Sequence, residues 1–336
     1  MNSNQVSYID NELKSAFLDT EFVDLLKNKR IYITGASGYI GKWLLFSFSF
    51  FNKTKNFNIK VTATSRNILD SDFLEYADSS FEYRNVDVRS AFDIPQDVDY
   101  VIHLAGIPDR RIHASDPLGV ISTNIDGTRN VLESASRVPS LKKILVFSSG
   151  LIHGNQYVDK NGTVHYRPSD TLNFSSSYID SKRVQENICH VYFRQFQLPV
   201  SIVRPYSFIG PLQELDRPWA INDFINGAIR NNEIRILGNS HTEKSYLYSI
   251  DMVNGILKFL VSNEFETPLE LGSNKPVTLI HSAEIIRSCL TKAINIKCPT
   301  NMTELARQDF ICNKTNINET VSIEDAISRS LSWYNL

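Results

Sequence analysis

The sequence predicts an α/β fold: a doubly wound parallel sheet followed by a smaller mixed α/β C-terminal lobe. Three observations predict it. Short β-branched, apolar runs alternate with helical stretches from about residue 30 to residue 205. A glycine-spaced turn, Gly35-Ala36-Ser37-Gly38-Tyr39-Ile40-Gly41, ends the first run and opens a helix. After Pro205 the alternation loosens into shorter strands and helices.

The elements follow in order. Ile9, Leu13, Phe17, Leu18, Phe22 and Leu26 recur at helical spacing, which predicts one amphipathic helix over 8–27 ahead of the sheet. Strands are predicted at 30–34, 59–64, 81–86, 100–104, 143–147 and 200–203. Helices are predicted at 39–52, at 117–137 and from the Tyr178 region to about 196. Strands separated by helices pair in parallel and are covered on both faces. In the lobe, strands are expected near 234–237, 245–248 and 268–271, and helices near 219–230, 250–262, 280–293 and 322–335. The expected organisation is an N-terminal helical extension (1–28), a sheet domain (29–205) and a C-terminal lobe (206–336) that sends some chain back to the sheet.

Composition narrows the class. The chain has 336 residues, 42% hydrophobic and 21% charged, which suits a globular protein. A net charge of −2 argues against a nucleic-acid partner. The most apolar run, Trp43 to Phe51, is too short to span a bilayer and predicts a buried helix. No basic segment followed by an apolar run opens the chain, so a cytoplasmic protein without membrane attachment is expected. The four cysteines, Cys189, Cys289, Cys298 and Cys312, form no C-x-x-C pair and are expected to be free thiols. His113 and His165 have no partners at ligand spacing, so no metal is expected.

The glycine turn follows a strand and opens a helix, the context in which such spacing cradles a dinucleotide. Gly35 permits the tight turn, Gly38 lets backbone approach a pyrophosphate, and Gly41 lets helix and strand sit close. Ser37, Tyr39 and Ile40 lie in the same turn, where the helix start offers amide donors and partial positive charge. The second strand ends in Thr64-Ser65-Arg66-Asn67 rather than in the acid that would bind ribose hydroxyls. Arg66 with the Ser65 hydroxyl suits a 2′-phosphate, which favours NADP (NADPH) and leaves NAD open.

Tyr178 and Lys182 are four residues apart on a predicted helix and share a face. An ammonium there is expected to lower the phenol from its usual pKa of about 10. Tyr178 could then pass a proton to or from a reacting oxygen, with Ser149 bonding the same oxygen and Lys182 also holding a nicotinamide ribose. An ordinary surface Tyr and Lys is the alternative.

With these motifs in order, the chain resembles the extended short-chain dehydrogenases/reductases of the nucleotide-sugar epimerase/dehydratase type, which have a Rossmann-type sheet. The resemblance covers about residues 30–335. It rests on the 35–41 turn, Asp87-Val88, His103-Leu104-Ala105-Gly106, Asn124-Ile125-Asp126-Gly127-Thr128, Ser148-Ser149, Tyr178 with Lys182, Arg204-Pro205, and Tyr248-Ser249-Ile250-Asp251-Met252. It implies that Asp87 and Val88 contact adenine. Leu104, Ala105 and Gly106 would line the cofactor channel with Ser148. Asn124 would support the active-site helix, and Pro205 would begin the loop beside the nicotinamide. Ser149, Tyr178 and Lys182 would be catalytic, and the helices near 117–137 and 178–196 would pair two copies into a homodimer.

The substrate implied is a nucleotide-diphosphate sugar. Arg110 or Arg111 could reach its phosphate or lie in a solvated loop, and His153 could face it or simply pack. Arg217 and Lys244 stand where relatives grip the diphosphate, although Lys244-Ser245-Tyr246 departs from the family's usual Arg-Asp-Phe. The residues after Ser149 are Gly150 and Leu151, which cannot transfer protons; this argues against dehydration, decarboxylation and the Cys-assisted reducing epimerases. Two reactions remain: reduction of a 4-keto nucleotide sugar by NADPH, favoured through Arg66, and 4-epimerisation with tightly held NAD. A non-catalytic NADP-binding sensor or scaffold is a further alternative, disfavoured because both Tyr178 and Lys182 are present.

Overall fold

The computed structural model describes residues 1–67, 76, 79–158, 164–167, 169–299 and 310–335. Internal contacts divide the chain into two units. The first comprises Met1–Ile152, Asp170–Pro205 and Val253–Leu269; the second comprises His153–Ser169, Tyr206–Met252 and Glu270–Leu336.

The main sheet has seven strands: β1 (Arg30–Thr34), β2 (Lys60–Ser65), β3 (Phe81–Asn85), β4 (Tyr100–His103), β5 (Lys143–Phe147) and β6 (Val200–Pro205), all of the first unit, and β7 (Leu269–Leu271), of which only Leu269 is in that unit. Their spatial order is β7-β6-β5-β4-β1-β2-β3. The pairs β1–β2, β2–β3, β1–β4, β4–β5 and β5–β6 are all parallel, with Ile31 opposite both Val61 and Tyr100. Strands β4 and β5 are buried along their whole length, as central parallel strands covered on both faces must be. The edge strand β3 alternates and is largely solvated. Strand order reverses between β1 and β4, and the crevice at the carboxyl ends of these strands is where such sheets bind ligands.

Among its described residues the first unit holds α1 (Ser3–Phe17), α2 (Tyr39–Lys55), α3 (Arg110–Ser115), α4 (Pro117–Ala135) and α5 (Ser177–Phe196), besides chain shared with a later helix. Helix α1 opens with a capping box: Asn2 Oδ1 accepts from Gln5 N at 2.9 Å, and Gln5 Oε1 accepts from Asn2 N at 3.1 Å. The predicted single helix over 8–27 is instead α1 plus a separate 3₁₀ segment, Phe22–Leu26. Near the break the Thr20 hydroxyl takes the Ala16 carbonyl, a local bond that competes with continued helix. Ile9, Leu13 and Phe17 are fully buried, and Phe17 meets Phe51 of α2 edge-to-face at 5.5 Å. The N-terminal helix is thus part of the core. Trp43 to Phe51 is the buried heart of α2. Helix α4 starts with Pro117 behind an Asp116 cap whose carboxylate accepts from Gly119 N.

In the second unit an antiparallel hairpin pairs Asn155–Val158 with Val164–Arg167. Helices α6 (Ala220–Asn231), α7 (Ser249–Val261, whose last turns belong to the first unit), α8 (Leu279–Ser288) and α9 (Ile323–Tyr334) follow. Asp251 at the start of α7 accepts from Thr320 Oγ1 at 2.6 Å and from the amides of Thr320 and Val321, which ties down the approach to α9. Two expectations change here. The 268–271 strand pairs in the main sheet as β7, with Glu270 and Leu271 in the second unit, and the helix expected over 280–293 stops at Ser288.

Candidate active site

The glycine turn sits at the point where strand order reverses. Gly35 has φ of +70°, and a Cβ there would lie 2.6 Å from the Ala105 amide nitrogen; both facts demand glycine. A Cβ on Gly41 would lie 2.4 Å from the Ala36 carbonyl, so α2 packs as close to the turn as backbone allows. Gly38 is the N-cap of α2 and supplies no side-chain cap to the start of the helix. Thr34 and Thr64 hold the loop from below: Ala36 N donates to Thr64 O and Leu104 N to Thr34 O, each at 3.0 Å.

Tyr178 and Lys182 lie in the first turns of α5 and are 8% and 3% exposed. Lys182 Nζ donates to Phe147 O at 2.8 Å and to Gln185 Oε1 at 3.0 Å. Burial pulls this lysine down to about 7, against the opposing pull of Cys189 and Glu186. Burial also pushes the Tyr178 phenol up to about 12, while its hydrogen bond with Ser149 works the other way. The sequence-based expectation that Lys182 lowers the phenol is therefore corrected. The ammonium lies 5.9 Å from the ring centroid and is turned toward two carbonyl oxygens, so loss of water dominates.

A buried polar chain fixes Lys182 from behind. Gln185 Nε2 donates to Thr128 Oγ1 at 2.6 Å, Thr128 Oγ1 lies 3.0 Å from His103 Nε2, and His103 Nδ1 lies 2.7 Å from Thr34 Oγ1. His103 thus bridges two threonine hydroxyls, one at each ring nitrogen. Burial holds His103 neutral, pushed down to about 3. The chain thus runs from Lys182 to the last residue of β1. Asn124 Nδ2 donates to Ser181 Oγ at 2.9 Å. Asn124 Oδ1 and Ser148 Oγ are buried with no partner, which is rare for polar atoms. A Cβ on Gly106 would lie 3.5 Å from Lys182 Nζ and 3.8 Å from Asn124 Oδ1, which puts the open backbone of Gly106 over both groups. The unpartnered Asn124 Oδ1 and Ser148 Oγ, a helix start with no side-chain cap and close glycine backbone together fit a dinucleotide.

Other expected residues are placed less simply. Ser65 is buried, with its hydroxyl given to Asn67 O and shared with Tyr83, while Arg66 is exposed. Asp87 is forked by Arg89, which holds its carboxyl below the usual range, and the Val88 side chain is buried under Gly127. Arg110 and Arg111 lie on α3, not in a loop; Arg111 is engaged by Asp109, Nη2 to Oδ2 2.6 Å. Pro205 ends β6, where Arg204 forms a two-point pair with Glu186. In the second unit His153 Nε2 lies 3.3 Å from Glu270 Oε1, Arg217 pairs with Glu214 at 2.7 Å, and Lys244 is half-buried in a two-residue strand.

Sequence reasoning missed Gln185, Thr128 and His113. Gln185 had a usable signal, three residues past Lys182 on the same helix. His113 had none: its ring stacks on Tyr178 at 4.3 Å across 65 residues of chain.

The model of the NAD dependent epimerase/dehydratase family matches residues 31–270. UDP-glucuronic acid decarboxylase 5 of Arabidopsis thaliana is 26% identical over 283 residues, 84% of this chain and 80% of that protein. UDP-glucuronic acid decarboxylase 1 of Danio rerio is 23% identical over 94% of this chain and 75% of its own length. Among solved structures, UDP-glucuronic acid 4-epimerase from Bacillus cereus, in complex with UDP-glucuronic acid and NAD, superposes with a TM-score of 0.74 at 22% identity, covering 91% of this chain and 99% of that one. UDP-N-acetylglucosamine 4-epimerase from Methanobrevibacter ruminantium gives 0.73 at 19% identity, covering 92% and 99%. Among the described residues, no helix is long and apolar enough to cross a membrane.

Proposed function

Because this chain belongs to the NAD dependent epimerase/dehydratase family, we propose that it is a nucleotide-sugar 4-epimerase, which takes a hydride from C4 of a nucleoside-diphosphate sugar and returns it to the same carbon. The observation that carries the reading is the buried set Tyr178, Lys182 and Ser149, followed by Gly150 and Leu151, which offer no second acid or base. Tyr178 Oη takes the proton of the C4 hydroxyl and later gives it back. Ser149 Oγ bonds that same oxygen. Lys182, held by Phe147 and Gln185, keeps one N–H for a ribose hydroxyl. The glycine turn, α2, Ser148 and Asn124 hold the cofactor, which supplies the ring that accepts and returns the hydride. NAD is the form carried by the structurally similar Bacillus cereus epimerase, and it fits the loss of the Ser65 hydroxyl to Asn67.

Arg66 supports a second reading, reduction of a 4-keto nucleotide sugar by NADPH: its guanidinium is exposed directly after β2, where an acid would have favoured NAD. Pairing of two copies through α4 and α5 belongs to the same proposal. Val184, Val191 and Phe196 of α5 are exposed apolar residues that a second copy would cover, and light scattering checks it.

The relatives make UDP-glucuronic acid the first substrate to test. Purified protein incubated with it is expected to yield the C4 epimer, with NAD retained and no net nicotinamide turnover. Loss of carbon dioxide would instead assign a decarboxylase. Stoichiometric NADPH oxidation with a 4-keto sugar would assign the reductase, and no turnover on a nucleotide-sugar panel would leave only a binder.

A further inference from the structure

We propose that His113 is the positioning residue for Tyr178: its imidazole, tethered to the chain at Ile107, covers one face of the phenol, fixes the ring plane and keeps water off it. The inference rests on the acid/base role proposed above for Tyr178. The two rings are nearly parallel, 14° apart with centroids at 4.3 Å. His113 Nε2 lies 2.6 Å from Ile107 O. A carbonyl only accepts, so Nε2 carries the hydrogen and the ring is held edge-on to backbone. The short α3 that presents it is itself clamped. Asp109, 2% exposed, caps α3 by accepting from Arg111 N at 2.9 Å and is gripped by the Arg111 guanidinium.

Apolar side chains also line the phenol: Ile107 and Val120 pack with Tyr178, and Leu151 and Ile179 lie against them, while Ser149 bonds the hydroxyl. His113 is therefore the wall that lies flat against the ring, while Ser149 meets its hydroxyl. The charged groups acting on His113 are Asp109 and Arg110 from its own segment and Lys182 from α5. Burial is the largest influence and lowers its pKa, so the ring stays neutral near pH 7. A neutral ring gives the phenolate no counter-charge. What it supplies is shape and exclusion of water, the same loss of water that pushes Tyr178 up to about 12. Opening this face is expected to let water stabilise the phenolate and make Tyr178 a stronger acid.

The test needs no substrate, so its outcome is separate from whether the 4-epimerase reading holds. Full-length protein labelled with ζ-¹³C tyrosine is titrated by NMR in the presence of NAD, with the Tyr178 resonance assigned by its loss in Tyr178→Phe. His113→Ala is expected to move the Tyr178 midpoint down by about one unit or more. His113→Phe, which keeps a flat cover, is expected to restore the wild-type midpoint. His113→Asn keeps a donor for Ile107 but no ring; it is expected to follow alanine and carries the test if the alanine variant does not fold. NAD affinity is expected to stay the same in all three. An unchanged midpoint in the variants without a ring overturns the proposal, and so does a shift that phenylalanine fails to reverse.

Discussion

Replacing Lys182 by methionine is expected to stabilise the first unit and to do so in a pH-dependent way. Burial brings this lysine from 10.5 to about 7. A drop of that size corresponds to about 5 kcal/mol of unfavourable charge burial, at about 1.4 kcal/mol per unit. Methionine fills the same slot without charge but strands Phe147 O and Gln185 Oε1, each bond being worth about 1 kcal/mol net. The sign follows from the direction of the shift. Between about pH 7 and about 10 the unfolded lysine keeps its proton while the folded one releases it, so wild-type stability rises with pH across that window. Methionine has no such dependence. The advantage of Lys182→Met over wild type is therefore expected to shrink by about 2 kcal/mol between about pH 7 and about pH 9. The stranded carbonyls cancel in that difference. Urea unfolding of both proteins at the two pH values measures it. An advantage that does not change with pH would refute the reasoning, because it would mean that Lys182 titrates as an ordinary solvated lysine.

Other expectations are simpler. Tyr178→Phe should lower turnover by about 10²-fold or more while NAD still binds, measured by steady-state assay and cofactor titration. Gly35→Ala should cost at least about 1–2 kcal/mol for the left-handed backbone alone, with the approach to Ala105 adding to it, and should weaken cofactor binding; calorimetry and NAD titration read both. His103, pushed down to about 3, makes the fold lose stability as pH falls from about 6.5, by up to about 1.4 kcal/mol per unit. Acid-range urea titrations should show that limb reduced in His103→Asn.

The parts of the fold that were legible are those whose burial shows in local pattern. β1, β4 and β5 are continuous β-branched or apolar runs because both faces are covered, and α2 is apolar all round because it is buried between the sheet and α1. The pairing of β7 was not legible because its partner β6 lies more than 60 residues earlier, and local pattern does not encode pairing. The six residues of α3 are too few to show a helical period, so the helix that carries Arg110 and Arg111 was not legible. The same logic governs the site. Spacing placed Tyr178 and Lys182 on one helical face, but the direction of their pKa shifts depends on how much water surrounds them, a tertiary property. The stack of His113 on Tyr178 likewise exists only once α3 and α5 are brought together.

The most direct test follows the hydrogen at C4. UDP-glucuronic acid carrying deuterium at C4 is incubated with the purified protein, and the product is examined by NMR and mass spectrometry. The account predicts an inverted C4 that keeps its deuterium, since the hydride leaves and returns within one site. An unchanged sugar, a pentose product, or deuterium lost to water would contradict it.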